Sequence, residues 1–245
     1  MARKYLITGG AGFIGSNFIR FVLAAEPGAV VTNLDALTYA GVKATIDELD
    51  EDHRHTFVHG SITDADLVEA LLPGHDVVIN FAAETHVDRS IDGPSVFLDT
   101  NVVGTGILVD AAYRNGVGRF IQVSTDEVYG SLAEGFATEQ NVLAPSSPYS
   151  AAKAGSDLLV GSYAVTYGYP AIITRCTNNF GPYQFPEKLI PLFVTNLLGG
   201  IKVPLYGDGR NERDWLHVED HCAAIHLLAD QGQLGEIYNI GAGTS

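Results

Sequence analysis

The chain is poor in cysteine, tryptophan, methionine and positive charge. Its two cysteines, Cys176 and Cys222, stand alone, with no CxxC pair and no histidine at ligand spacing. That excludes a disulfide-stapled scaffold and a zinc module, and leaves two buried, reduced thiols as the expectation. With 14 basic residues against 29 acidic ones the formal net charge is −15, so the basic stripe of a nucleic-acid binder is missing. An anionic small ligand stays possible, because a pocket needs only a few local cations and helix N-termini. No apolar run approaches the roughly 18 residues that suggest a membrane span. The stretch Tyr5–Ile7 breaks at once into Thr8-Gly9-Gly10, too short for a signal-peptide core. The 27 glycines follow no fixed period, which excludes a collagen-like chain. Hydrophobic residues at 46 % and charged residues at 18 % over 245 positions are too apolar for disorder. They suit one large domain, or one with a small appendage, burying roughly 70–75 % of the unfolded surface.

Apolar runs alternate with helical patterns along the chain. Lys4–Thr8, Ala29–Leu34, His55–His59, Asp76–Phe81, Arg119–Ser124 and Ala171–Arg175 read as strands. They are continuously apolar, as parallel strands covered on both faces should be. Between them, Phe13–Ala25, Asp64–Leu72, Val96–Asn115 and Tyr149–Tyr167 read as helices. This predicts an α/β fold, a doubly wound parallel sheet with right-handed crossovers. After Arg175 the pattern changes to a loop at 178–182, a helix at Leu189–Leu198, a strand at Lys202–Tyr206, a helix at Val218–Asp230 and a strand at Glu236–Ile240. These are expected to form a small C-terminal lobe over residues 176–245, beside a cofactor-binding domain over residues 1–175.

Gly9-Gly10-Ala11-Gly12-Phe13-Ile14-Gly15 follows the first strand and opens the first helix. Glycines are needed where the chain turns sharply, where backbone must approach a pyrophosphate, and where helix packs on strand. The helix N-terminus then offers unpaired N–H groups to the phosphates. Asp35 ends the second strand, 20 residues beyond Gly15. A carboxylate there hydrogen-bonds a ribose 2′-hydroxyl and repels a 2′-phosphate, so a Rossmann-like domain binding NAD is expected.

Tyr149 and Lys153 lie four apart on one helical face. A phenol titrates at about 10, and a neighbouring ammonium together with an oxidised nicotinamide is expected to lower that value. The pair reads as a general base for a hydroxyl whose carbon is being oxidised, with Thr125 donating a hydrogen bond to the reacting oxygen.

This combination resembles the extended short-chain dehydrogenase/reductase family over essentially the whole chain. Thr125-Asp126-Glu127-Val128-Tyr129-Gly130, the segment from Asn80 to Ser90, the segment from Arg175 to Pro191 and the segment from Tyr206 to Leu216 look like the dTDP-glucose 4,6-dehydratases within it. The resemblance implies a lyase. Oxidation of C4 acidifies the C5 proton, Glu127 removes that proton, Asp126 protonates the departing C6 hydroxyl, and hydride returns to C6. A neighbouring acid pair serves both tasks when its two pKa values are pushed apart. By resemblance, Phe13, Ile14, Thr38, Ser61, Ile62, Ala82, Ala83, Thr100 and Asn179 join Gly9, Gly12, Gly15, Asp35, Tyr149 and Lys153 around NAD. Thr85, Thr125, Asn178, Lys188, Leu189, Pro204, Tyr206, Arg213 and Asn239 would contact dTDP-glucose or a close nucleotide sugar. His86 reads as a satisfied core histidine, and no metal is expected. The resemblance also implies a homodimer built on the helices at 96–115 and 149–167, and the two lone, reduced cysteines lead to the expectation of a cytoplasmic protein.

Three departures stand out. Ser61 replaces the family's usual aspartate, Phe180 replaces a tyrosine, and the family continues beyond residue 245, so the lobe is expected to be incomplete at its C-terminus. Two other readings remain open on the same residues. One is a nucleotide-sugar epimerase or decarboxylase, which the acid pair disfavours. The other is a non-catalytic NAD-sensing module.

Overall fold

The computed structural model describes residues 2–132, 135–205 and 208–243. Its elements in chain order are β1 (Lys4–Thr8), α1 (Phe13–Ala25), β2 (Val30–Asp35), β3 (His55–His59), α2 (Ala65–Leu71), β4 (Val77–Asn80), α3 (Val87–Asp92) and α4 (Pro94–Phe97). There follow α5 (Thr105–Arg114), β5 (Arg119–Thr125), α6 (Pro148–Tyr167), β6 (Ala171–Cys176), β7 (Asn178–Phe180), α7 (Leu189–Leu198), β8 (Trp215–His217), α8 (Val218–Gln231) and β9 (Ile237–Ile240). Seven strands form one parallel sheet in the order β3-β2-β1-β4-β5-β6-β9. This is the doubly wound Rossmann arrangement, whose strand order reverses between β1 and β4, so that a crevice opens at their C-terminal ends.

Alternation along each strand feeds two cores. Tyr5 and Ile7 pack with Phe18, Ile19 and Val22 of α1 and with Cys222 and Ile225 of α8. Leu6 faces the other way, towards Val68 of α2, Leu108 and Val109 of α5 and Val160 of α6. Both faces are therefore covered, which is why the strands read as unbroken apolar runs. Phe18 is fully buried, and its truncation to alanine would cost about 3–5 kcal/mol.

Helix α6 carries the local signals for its own start and stop. Ser147 and Ser150 form a reciprocal capping box, Pro148 occupies the first turn, and Gly168 closes the helix in the left-handed conformation. Helices α4 and α5 are joined by a π-helical stretch at Leu98–Gly104 into one 21-residue helix, Pro94–Arg114. By length and mean hydropathy it could cross a membrane, although it holds no unbroken apolar run of that length. Here its Leu108, Val109, Ala111 and Ala112 side are buried against the sheet.

Beyond Arg175 the sequence reading needs correction. Helix α8 packs on α1, and β9 pairs with β6 as the seventh strand, so these two elements complete the sheet layer instead of standing in the lobe. Residues 178–180, expected as a loop, form β7 and pair in parallel with β8, which was not foreseen. Residues 202–205 form no strand; the segment carries Pro204, which lacks an N–H for a ladder.

Candidate active site

A cavity of about 500 Å3 opens at the C-terminal ends of β1, β2, β4, β5 and β6. Gly9, with φ of +71°, lies so close to β4 that an added Cβ would stand 2.6 Å from the Ala82 nitrogen. A Cβ on Gly15 would collide with the Gly9 carbonyl. Gly12 caps α1 without a side-chain acceptor, so the first-turn N–H groups are left to a ligand. The cradle fits a dinucleotide pyrophosphate. Asp35 is buried at the end of β2, accepting from the Ala11 nitrogen at 2.8 Å and the Leu37 nitrogen at 2.7 Å. Desolvation pushes its carboxyl up despite those two donors. Phe13, Ile14, Thr38, Ser61, Ile62, Ala82, Ala83 and Thr100 all line the cavity. Ser61 is tied to Thr63, accepting from its nitrogen at 3.1 Å.

The reactive end is assembled from β5, the 3-10 turn Asp126–Tyr129 that follows it, and α6. Thr125, Glu127, Tyr149 and Lys153 line the cavity. Lys153 donates to the Val123 carbonyl at 2.7 Å. Glu127 is open to solvent, but that solvent is the cavity's. Its carboxyl also faces a second compartment of about 420 Å3 that shares Thr85, Tyr149, Lys188 and Leu189 with the first. Burial pushes both Asp126 and Glu127 up. Asp214 adds to Asp126, while Asp126 raises and Lys188 and Arg213 lower Glu127.

The expected lowering of the Tyr149 phenol is not a property of the protein alone. Burial, with Glu127, Cys176 and Asp126 nearby, pushes it well above its ordinary value. Burial also pulls Lys153 down, against Asp157. A buried phenol among carboxyls stays protonated unless further positive charge arrives beside it.

Asn178, Lys188, Leu189 and Arg213 reach the larger cavity and Pro204 the smaller one. Tyr206 lies outside the described residues. Asn179 lines the cavity while its carboxamide is held by the Thr177 carbonyl at 3.0 Å and His221 at 2.8 Å. Two of the expected residues are not among the side chains that line the cavities. Asn239 does not line either cavity, because its side chain is consumed by Tyr129 and the Ala137 carbonyl. Asp126 is not on the cavity wall either; its carboxyl accepts from Thr125 at 3.3 Å. His86 is not a satisfied core histidine. It has φ of +83°, its Nδ1 has no hydrogen-bond partner among the described residues, and its Nε2 lies 4.0 Å from Glu187.

Sequence reasoning missed Glu84 and Asn101. The Asn101 carboxamide pairs with both main-chain groups of Glu84, at 2.8 and 3.0 Å, and fixes the loop after β4 along the cavity. A charged residue just past the end of a buried strand was the available signal. Cys176 also lines the cavity, its thiol pushed up to about 12 by burial.

Comparison with known proteins agrees with this geometry. The family model described as GDP-mannose 4,6 dehydratase matches residues 6–245. A dTDP-glucose 4,6-dehydratase of Streptomyces antibioticus is 57% identical over 244 residues, covering 98% of this chain and 72% of that protein. The crystal structure of the dTDP-glucose 4,6-dehydratase of Streptomyces venezuelae, with NAD and dTDP bound, superposes with a TM-score of 0.96 at 57% identity, over 98% of this chain and 76% of the other. A UDP-glucose 4-epimerase of Thermotoga maritima shares the scaffold at a TM-score of 0.89, with 31% identity over 98% of this chain and 77% of its own. On the strength of the family match and of relatives above half identity, the chain belongs to the dTDP-glucose 4,6-dehydratase family of nucleotide-sugar enzymes.

Proposed function

We propose that this chain is a hydro-lyase converting dTDP-glucose to dTDP-4-keto-6-deoxyglucose. NAD, when bound, accepts hydride from C4 and returns it at C6, so the reaction has no net redox change. The carrying observation is Glu127, which lines both compartments together with Tyr149 and Lys188. The glycine cradle and Asp35 would hold the cofactor, with Lys153 beside its ribose.

Tyr149 would take the C4 hydroxyl proton while Thr125 holds the same oxygen. With C4 a ketone, the C5 proton is acidic. Glu127 removes it, its carboxylate form favoured by Lys188 and Arg213. Asp126, whose proton is favoured by burial and by Asp214, delivers that proton to the C6 hydroxyl as it leaves as water. Two acids with opposite charged neighbours divide the base and acid roles. Asn178, Lys188, Leu189, Pro204 and Arg213 all come from the chain between β6 and α8, which supports a substrate lobe built on that stretch, while α8 and β9 stay with the cofactor-binding sheet. The two cations would face a diphosphate.

The acid pair disfavours the epimerase or decarboxylase reading, since reversal at C4 needs neither a C5 base nor a C6 acid. Incubation with dTDP-glucose and NAD should yield a product lighter by one water. A C4 epimer alone, or no turnover, would overturn the proposal.

We further infer a cytoplasmic homodimer. Both cysteines are free and buried, which suits a reducing compartment. Val96, Leu98 and Val103 on the Pro94–Arg114 helix, and Leu158 and Val165 on α6, leave large apolar side chains in solvent. Light scattering should return twice the chain mass.

A further inference from the structure

Behind the reactive end runs a buried polar chain that never touches the cavity. Asp157 sits one turn beyond Lys153 on α6 and accepts from Arg175 Nε of β6 at 2.9 Å, both side chains being almost fully buried. Arg175 Nη1 donates to the Tyr129 hydroxyl at 2.8 Å, and the guanidinium lies 4.9 Å from the Tyr129 ring centre. The Tyr129 hydroxyl in turn donates to Asn239 Oδ1 on β9 at 2.7 Å. Tyr129 ends the turn that begins with Asp126 and Glu127, while Asp157 shares its helix with Tyr149 and Lys153.

One guanidinium therefore ties the element carrying the acid pair to the element carrying the phenol and ammonium. A buried ion pair is weak as a source of stability, since desolvation cancels much of its attraction. What a planar, forked donor adds is direction, because its bonds form at fixed angles. Elimination needs Glu127 and Asp126 on opposite tasks around a ring that Tyr149 already holds at C4, and small errors in such placement are costly.

On the dehydratase reading above, we propose that Arg175 and Tyr129 are positioning residues for the elimination half of the reaction, setting the acid pair against Tyr149. Oxidation at C4 uses Tyr149, Lys153 and Thr125, none of which is bonded to Tyr129. Loss of the link should thus divide the two halves.

The test is Tyr129→Phe in the full chain, which keeps the ring and removes both hydrogen bonds. In a single turnover with NAD and dTDP-glucose, reduced nicotinamide should form at close to the native rate and accumulate, with water loss slowed roughly 10–100-fold. Equal slowing of both steps, or slowing of neither, would overturn the proposal. Asn239→Leu provides a second variant, cutting the same chain at its far end. It should show the same partition with unchanged KM, whereas a raised KM with native partition would make Asn239 a substrate contact and overturn its place in the link. If the native chain forms neither reduced nicotinamide nor product, the dehydratase reading itself fails, and this proposal with it.

Discussion

Lys153 donates its ammonium to the main-chain oxygen of Val123 at 2.7 Å, so the cation is pinned to the end of β5 one helical turn from Tyr149. Burial pulls this lysine down and pushes the phenol well up. The resting protein therefore holds a neutral phenol, and positive charge arriving with the oxidised cofactor would tip it towards phenolate.

Replacing either member of the pair should fall on turnover more than on binding. Tyr149→Phe and Lys153→Met should each lower kcat by roughly 10²–10⁴-fold, the usual worth of a general base. KM for dTDP-glucose should move only a few-fold. Formation of reduced nicotinamide, followed by its absorbance, measures the step directly. A Tyr149→Phe protein with native turnover would remove the phenol from the mechanism.

Asp35 is held by two main-chain donors, from Ala11 and Leu37, and has lone pairs left for ribose hydroxyls. Asp35→Ala should weaken NAD binding about 10–100-fold, in line with about 1.5–3 kcal/mol for hydrogen bonds to a charged group. It should also narrow the preference for NAD over NADP, because the charge that repels a 2′-phosphate is gone. Calorimetric titration with both dinucleotides checks the two effects together.

Gly9 tests the cradle from the side of stability. Its φ of +71° and the 2.6 Å approach of any Cβ to the Ala82 nitrogen both penalise a side chain. Backbone strain and overpacking each cost about 1–3 kcal/mol. Gly9→Ala should accordingly lower the unfolding free energy by at least about 2 kcal/mol, read from urea denaturation, and abolish NAD binding.

The sheet was legible because its central strands, β1, β4, β5 and β6, are buried on both faces. β1, β3 and α1 stand where the apolar runs placed them, and Asp35 and the glycines follow from one local motif. Past Arg175 the same signals misled. The run that became β9 looks alike whether it pairs in a small lobe or beside β6, since pairing is a long-range choice that periodicity does not encode. The surroundings of Asn239 were not legible for a related reason. A polar residue at a strand end can face a cavity or complete a buried network, and only Tyr129, 110 residues away, decides which. Asp126 and Glu127 were visible as a pair, but which proton each would keep depends on Asp214, Lys188 and Arg213, all distant in the chain.

Those three neighbours make the pH dependence specific. Both carboxyls are raised by burial, so the pair should release its first proton above the ordinary carboxylate range of about 3.9–4.3. Asp126 raises Glu127 while Lys188 and Arg213 favour its carboxylate, and Asp214 favours the proton on Asp126; the proposed roles require Glu127 ionised while Asp126 keeps its proton. Turnover limited by elimination should be bell-shaped. It should fall on the acid side as Glu127 gains a proton and on the alkaline side as Asp126 loses one, with apparent values belonging to the pair. Arg213→Met should move the acid limb to higher pH, and Asp214→Asn should move the alkaline limb to lower pH. Stability carries the same sign. An acid raised on folding binds more protons in the native state, so its contribution is full below the unfolded value and is lost as pH rises through the folded one. Glu127→Gln should therefore raise the melting temperature at pH 7 and leave it nearly unchanged in acid below the ordinary glutamate value. A variant that melts like the native protein at neutral pH would mean that Glu127 is as well solvated in the folded chain as in the unfolded one, and would remove the basis for its displaced acid limb.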